Sequence, residues 1–296
     1  MGEFYRMTAS LVGHNKEGSF ATHHERQKVL RTFAQHCEQK FHLRTLDQVK
    51  FRHIESQVND WKQAELSPST LHTRLSHLRW FVEKIDKHPL LDVIKERIEL
   101  PARHQAHGNN LAWEKEHHAS IDRIHDPHVK MCLKVELAFG LRAEEARKLQ
   151  PHEVDKAEKI VIYRGTKGGK EREIKIKNPI QRELLDEAKR LVKPGQTLIP
   201  SRYSREISFV HFYYKVLRRA GITKAKLGIT SHGLRHEYVH RTYEALTGAR
   251  VLKGEDGKVR YENYPSPEKD LEARRLIASW LGHERVDITY VYLPKA

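Results

Sequence analysis

Two arginines, a lysine, two histidines and a pair of tyrosines stand in short segments whose residue types suit chemistry on an oxyanion. The segments are Gly140-Leu141-Arg142-Ala143-Glu144-Glu145, Thr166-Lys167-Gly168-Gly169-Lys170, Ser231-His232-Gly233-Leu234-Arg235-His236 and Leu281-Gly282-His283, with Tyr290 and Tyr292 following. An arginine grips phosphate-type oxygens with paired N–H donors and stabilises charge that builds there. A tyrosine hydroxyl ordinarily titrates near about 10, so it needs cationic neighbours or a base before it attacks at neutral pH. A lysine on a turn suits a general acid, and histidines exchange protons near neutrality. Taken singly, each has a plainer reading. Arg142 and Glu145 could be a surface helix pair, Lys167 a basic loop residue, His283 a helix cap, and both tyrosines core aromatics. Their joint order and spacing argue for a site.

In that order and spacing the chain resembles the tyrosine recombinase (phage integrase) family. The family pattern has an arginine after Gly-Leu with an acidic residue three positions on, and a lysine in a β-hairpin turn. It continues with His-x-x-Arg at a helix start, a Leu-Gly-His, and a nucleophilic tyrosine nine residues beyond that histidine. All of these occur here between about Val129 and Tyr292. The resemblance implies catalytic roles for Arg142, Lys167, His232, Arg235, His283 and Tyr292, with Glu145 orienting an arginine or histidine. The spacing from His283 selects Tyr292 over Tyr290. It also implies a site-specific recombinase that cuts and rejoins DNA through a 3′-phosphotyrosine, with no ATP, metal or other cofactor. The expected partners are double-stranded recombination sites, a homotetramer on DNA, and accessory DNA-bending or directionality factors, in a phage, genomic island or transposon. A type IB topoisomerase-like relaxing enzyme and a non-catalytic DNA-binding regulator are the alternatives. Two departures stand out. Extra residues lie at about 249–265, between Arg235 and His283, and only four residues follow Tyr292 where many relatives carry a segment that docks on a neighbouring protomer.

A rival motif overlaps the third segment. His236-Glu237-Tyr238-Val239-His240 reads HExxH, which on a helix puts two histidines on one face as zinc ligands with the glutamate as base. With 21 histidines in the chain, and no Gly-x-x-His continuation, the motif reads as a coincidence.

The elements that must position these residues are mainly helical, with a small antiparallel sheet. The expected fold is a helical core-binding, SAM-like domain at 16–100, a linker at 101–110, and a mixed α+β catalytic domain at 111–296. Val29, Phe33, Cys37 and Phe41 form one apolar stripe. Thr45 with Gln48 is a capping-box signature that should open a second helix through Phe51, Ile54, Val58 and Trp61. Ser67-Pro68 should start a third, with Leu71, Leu75, Leu78, Val82 and Ile85 inward. Arg74, His77, Arg79 and Lys84 lie outside that stripe and, with Lys170 and Arg172, are the candidate DNA contacts. A shorter helix is expected near 91–100. In the second domain, helices are expected at about 129–139, 180–192, 209–217 and 271–280. Alternating β-branched arms at 159–164 and 172–177 around Gly168-Gly169 predict a hairpin, and a second is expected at 249–261. Met1–Arg6, ahead of a second methionine, are given no weight.

Charge points the same way. Lys and Arg outnumber Asp and Glu by 54 to 39, a net charge of +15, which favours a polyanionic partner and above all nucleic acid. No stretch approaches the run of about 20 apolar residues that a membrane helix needs, and the N-terminus lacks a signal-peptide core. A DNA-associated protein of the bacterial cytoplasm is expected. Cys37 and Cys132, each within an apolar helical pattern, are expected to be small buried hydrophobes rather than a disulfide.

Overall fold

The computed structural model describes residues 2–102, 108–166 and 169–295. Lys167, the candidate general acid, and residues 103–107 of the expected linker lie outside the described residues. The chain divides into two compact units, 1–105 and 106–296.

Among the described residues the first unit holds five α-helices: α1 (Glu3–His14), α2 (Phe20–Phe41), α3 (Phe51–Gln63), α4 (Pro68–Lys84) and α5 (His88–Arg97). Helix α1 draws residues 3–6, given no weight on sequence, into the fold. Phe4 is fully buried, edge-on to Phe33 of α2 and Phe81 of α4 with ring centroids 6.4 and 6.5 Å away. Burying such a side chain contributes roughly 1.5–3 kcal/mol, so the helix belongs to the core. Ser67 caps α4 by accepting from the Thr70 amide, and Pro68 occupies the first turn. The Thr45–Gln48 capping box forms, but on a 3-10 turn at Leu46–Gln48. Helix α3 starts separately at Phe51, where His53 Nδ1 accepts from the Lys50 amide. The apolar stripe of α4 is wider than its leucine spacing suggested. It takes in Phe81 and His77, which is buried with its pKa lowered chiefly by that burial.

The second unit is built around α7 (Pro127–Phe139), preceded by α6 (Lys115–Asp122). Short helices α8 (Ala143–Arg147) and α9 (Pro151–Val154) lead to a two-stranded antiparallel sheet, β1 (Lys159–Ile162) and β2 (Arg172–Lys175). Lys159 pairs with Lys175 and Ile162 with Arg172. Helices α10 (Pro179–Leu191), α11 (Glu206–Arg219), α12 (Lys224–Leu227) and α13 (His232–Thr247) follow. The second hairpin is β3 (Arg250–Lys253) with β4 (Val259–Glu262). The unit ends with α14 (Pro267–Leu281) and a 3-10 segment at Val286–Val291.

The extra residues between α13 and α14 therefore form the β3–β4 hairpin, and its edge is occupied. Gly108 O accepts from Val259 N at 2.6 Å, Gly257 O accepts from Asn110 N at 2.8 Å, and Lys253 pairs with Glu114 at 2.5 Å. Residues 108–110, expected to be linker, are thus laid along the hairpin through an isolated antiparallel bridge between Asn109 and Lys258. Both cysteines are buried and free. Among the described residues, no helix is long and apolar enough to cross a membrane.

Candidate active site

The site begins where α7 ends. Gly140 takes a left-handed conformation (φ 62°), and a Cβ there would fall 2.3 Å from the Tyr238 ring. Only glycine serves both demands. The turn it makes buries Leu141 and sets Arg142 as the N-cap of α8. Three residues on, Glu145 reaches back. Its carboxylate accepts from the Arg142 amide and from the Arg142 guanidinium, both at 2.7 Å.

Glu145 is completely buried, and two further arginines answer it. Arg172 forks onto both carboxylate oxygens at 2.7 and 2.6 Å, the bidentate geometry in which a guanidinium binds a carboxylate best. An Arg235 amino group lies 3.9 Å away. Burial opposes the charge on Glu145, but Arg172 and then Arg142 outweigh it and hold its pKa below the ordinary value. Arg172 is a correction to the set of candidate DNA contacts. It shares the inward face of β2 with Ile174, is buried, and donates from its Nε to the Trp280 carbonyl at 2.8 Å. Gly282 makes room for it, since a Cβ there would lie 2.9 Å from Arg172 Cδ.

Arg235, in the first turn of α13, is also fully buried. Its amino groups donate to the carbonyl of Gly140 and, at 2.9 Å, to that of Leu281, so it ties together the C-terminal ends of α7 and α14. Its Nε donates to the Tyr292 hydroxyl at 3.2 Å. Burial, foremost, lowers the Arg235 pKa. His232, one turn earlier, opens to solvent at the mouth of the site. Its ring centroid lies 6.3 Å from that of Tyr292. Desolvation by its neighbours, followed by the charges of Arg235 and Arg142, lowers its pKa. His283 follows the left-handed Gly282 cap of α14, its amide bonded to Ala278 O at 2.8 Å, two residues beyond the carbonyl that Arg235 holds.

The two tyrosines part company. Tyr292 is 5% exposed. Tyr290 lies instead against Arg274, whose guanidinium carbon is 4.6 Å from its ring centroid, with Lys295 also nearby. The expected histidine pair of HExxH turns out to embrace Tyr292. The His236 ring is 4.5 Å from the Tyr292 ring, and His240 Nε2 is 2.9 Å from the Tyr292 carbonyl oxygen. Glu237 pairs with His118 at 3.0 Å and Arg241 at 3.6 Å. Among the described residues, no group of three His, Cys, Asp or Glu side chains is placed to hold a metal.

The candidate DNA contacts are similarly sorted. His77 is buried and drops out. Arg79 is exposed, Arg74 is half-buried over the Trp61 ring at 5.5 Å, and Lys84 pairs with Glu17 at 2.5 Å. Lys170 is exposed and paired with Glu284.

Two family models match this chain, one described as phage integrase, N-terminal, over residues 5–89 and one as integrase over residues 96–241. The chain belongs to the tyrosine recombinase, or phage integrase, family. As a member of that family it is a site-specific recombinase, an enzyme that cleaves and rejoins DNA. Two putative integrase/recombinases of Sinorhizobium fredii, y4eF and y4qK, are 25% and 24% identical to it. Each alignment spans 64% of this chain, and 75% and 61% of the respective relative. The fold is that of lambda integrase, solved as a tetramer bound to a Holliday junction (TM-score 0.63, 11% identity, 95% of this chain and 74% of that one). It is shared by the XerH recombinase bound to palindromic difH substrate (0.64, 15%, 97% and 80%) and by the Tn1549 transposon integrase in complex with transposon right end DNA (0.60, 13%, 99% and 95%). The integrase match stops at residue 241, ahead of His283 and Tyr292.

Proposed function

We propose that this recombinase cleaves DNA by attack of Tyr292 on a phosphate held between Arg142 and Arg235. The observation that carries the reading is the bond from Arg235 Nε to the Tyr292 hydroxyl. It puts a tyrosine oxygen on a buried guanidinium, with Arg142 tied to the same centre through Glu145. A guanidinium has five N–H donors. Arg235 spends three on Gly140, Leu281 and Tyr292, so each amino nitrogen keeps an N–H for phosphate oxygen. Arg142, a quarter exposed, approaches from the open side.

In this mechanism the Tyr292 oxygen forms a bond to phosphorus while the bond from phosphorus to the 5′ oxygen breaks. His232, neutral at physiological pH, takes the phenolic proton. Lys167 delivers a proton to the departing 5′ oxygen, and His283 donates to the phosphate. The arginines stabilise the charge of the five-coordinate transition state. The 3′-phosphotyrosine keeps the bond energy, and attack by an incoming 5′ hydroxyl reverses the step on a new partner. DNA sites, a tetramer, exchange through a four-way junction, and a mobile element within a bacterial cytoplasm complete the reading. The DNA-bound relatives, one of them a tetramer on a Holliday junction, support it.

The test is covalent capture on a nicked substrate carrying the chain's own recombination site. Tyr292→Phe removes one oxygen, so adduct formation should vanish while DNA affinity stays within about twofold. Tyr290→Phe should form the adduct normally. A phosphotyrosine mapped to Tyr290 by mass spectrometry would overturn the assignment.

A further inference from the structure

The histidines of the HExxH sequence are not used by the chemistry above, yet both touch the tyrosine. We propose that His240 is a positioning residue for the recombination reaction, fixing the nucleophile by donating a hydrogen bond to the Tyr292 carbonyl. This rests on the reading of Tyr292 as the nucleophile.

The geometry is specific. A carbonyl oxygen only accepts, so at 2.9 Å His240 Nε2 must carry the proton. Both partners are buried, at 5% exposure each, where a bond is not diluted by competing water. Burial, opposed by that bond and by Glu237, lowers the His240 pKa to about 4. The ring is therefore neutral at physiological pH, and the Nε2–H tautomer is the resting form.

Tyr292 ends a short 3-10 segment, and its own amide bonds to Thr289 within that segment. Its links to α13 include the His232 and His236 rings, the Arg235 bond and the His240 bond. Arg235 and His240 are five residues apart, about 7.5 Å along a helix axis, comparable to the reach of a tyrosine from carbonyl to hydroxyl. One helix thus grips the nucleophile at both ends. Arg235 must also serve the phosphate, so the carbonyl bond is the tether that persists when the hydroxyl becomes a phosphoester. Displacing a reacting group by about 1 Å costs on the order of a hundredfold in rate.

The test compares His240→Leu, which removes the donor, with His240→Gln, whose amide nitrogen reaches the same carbonyl. Single-turnover adduct formation on saturating nicked substrate should slow by about tenfold or more in His240→Leu, with DNA affinity unchanged. His240→Gln should recover most of the rate. Equal rates in all three proteins would overturn the proposal, and so would equal slowing in both variants with thermal unfolding intact. Should the leucine variant fail to fold, 15N NMR of the wild-type imidazole decides between about pH 5 and 8. The Nε2–H tautomer is expected, and Nδ1–H would overturn it. Tyr292→Phe run alongside separates the two readings. An adduct surviving in that variant sinks the nucleophile assignment, whereas its loss with an indifferent His240→Leu sinks only the positioning role.

Discussion

Glu145 is the residue on which the charge balance of the site turns. A buried carboxylate costs several kcal/mol unless well paired, and removing one partner of a buried pair typically costs about 3–5 kcal/mol because the other charge is stranded. Glu145→Ala should therefore lower the unfolding free energy by about that amount, measured by denaturant titration. Because its folded pKa lies below the ordinary 4.5, its contribution is complete above that value. It is lost as pH falls through the depressed folded value, and the alanine variant should lack this acid limb. His232 gives a second pH signature. Its pKa is depressed, so as the base for Tyr292 it should sustain cleavage below pH 6.5, the rate falling only at lower pH. An acid limb in the cleavage rate at or above 6.5 would remove it from that role. The sequence made these residues legible because phosphoryl chemistry requires particular side-chain types at recognisable spacings. It could not show that Arg172 answers Glu145 or that His240 serves Tyr292. Those partners lie 27 and 52 residues apart along the chain, and only folding unites them.

At the scale of elements, local signals succeeded where they were dense. Ser67-Pro68 starts α4, and the alternating arms at 159–162 and 172–175 pair as a hairpin. They failed where one element needed another to explain it. Helix α1 presents Phe4, Thr8 and Val12 inward, a stripe with a polar member that makes sense only against Phe33 and Phe81. Phe4→Ala should lower the stability of the first unit by about 3–5 kcal/mol, the usual cost of emptying a buried phenylalanine site. Calorimetry should show an earlier transition, and an unchanged profile would mean α1 is dispensable. The Thr45–Gln48 box shows the converse: it is a cap, but the turn it opens ends before α3 begins.

The whole molecule carries +15, and its reaction is on a polyanion. Neutralising six to ten phosphates releases enough counterions to reduce affinity by roughly 10³–10⁵ between about 50 and 200 mM salt. The intact chain should show this steep dependence in fluorescence anisotropy with duplex DNA. An affinity indifferent to salt would contradict a grip made mainly on phosphates. Within that grip, Arg79 is the exposed member of the α4 set and should contribute more of the salt slope than the half-buried Arg74.

The strand-like seating of residues 108–110 on the β3–β4 hairpin has a consequence for polymer length. On the other side, the ring of His72 contacts the Pro101 carbonyl at 3.0 Å, so the chain is pinned at 101 and again at 108. The seven virtual bonds between those pins can span at most roughly 25 Å. By seating residues 108–110, the hairpin therefore shortens the covalent connection between the two units. A shorter connection raises the concentration each unit experiences of the other's binding partner, provided it still spans the distance. Seating this segment on the hairpin is thus a way to tune how tightly two DNA grips act as one.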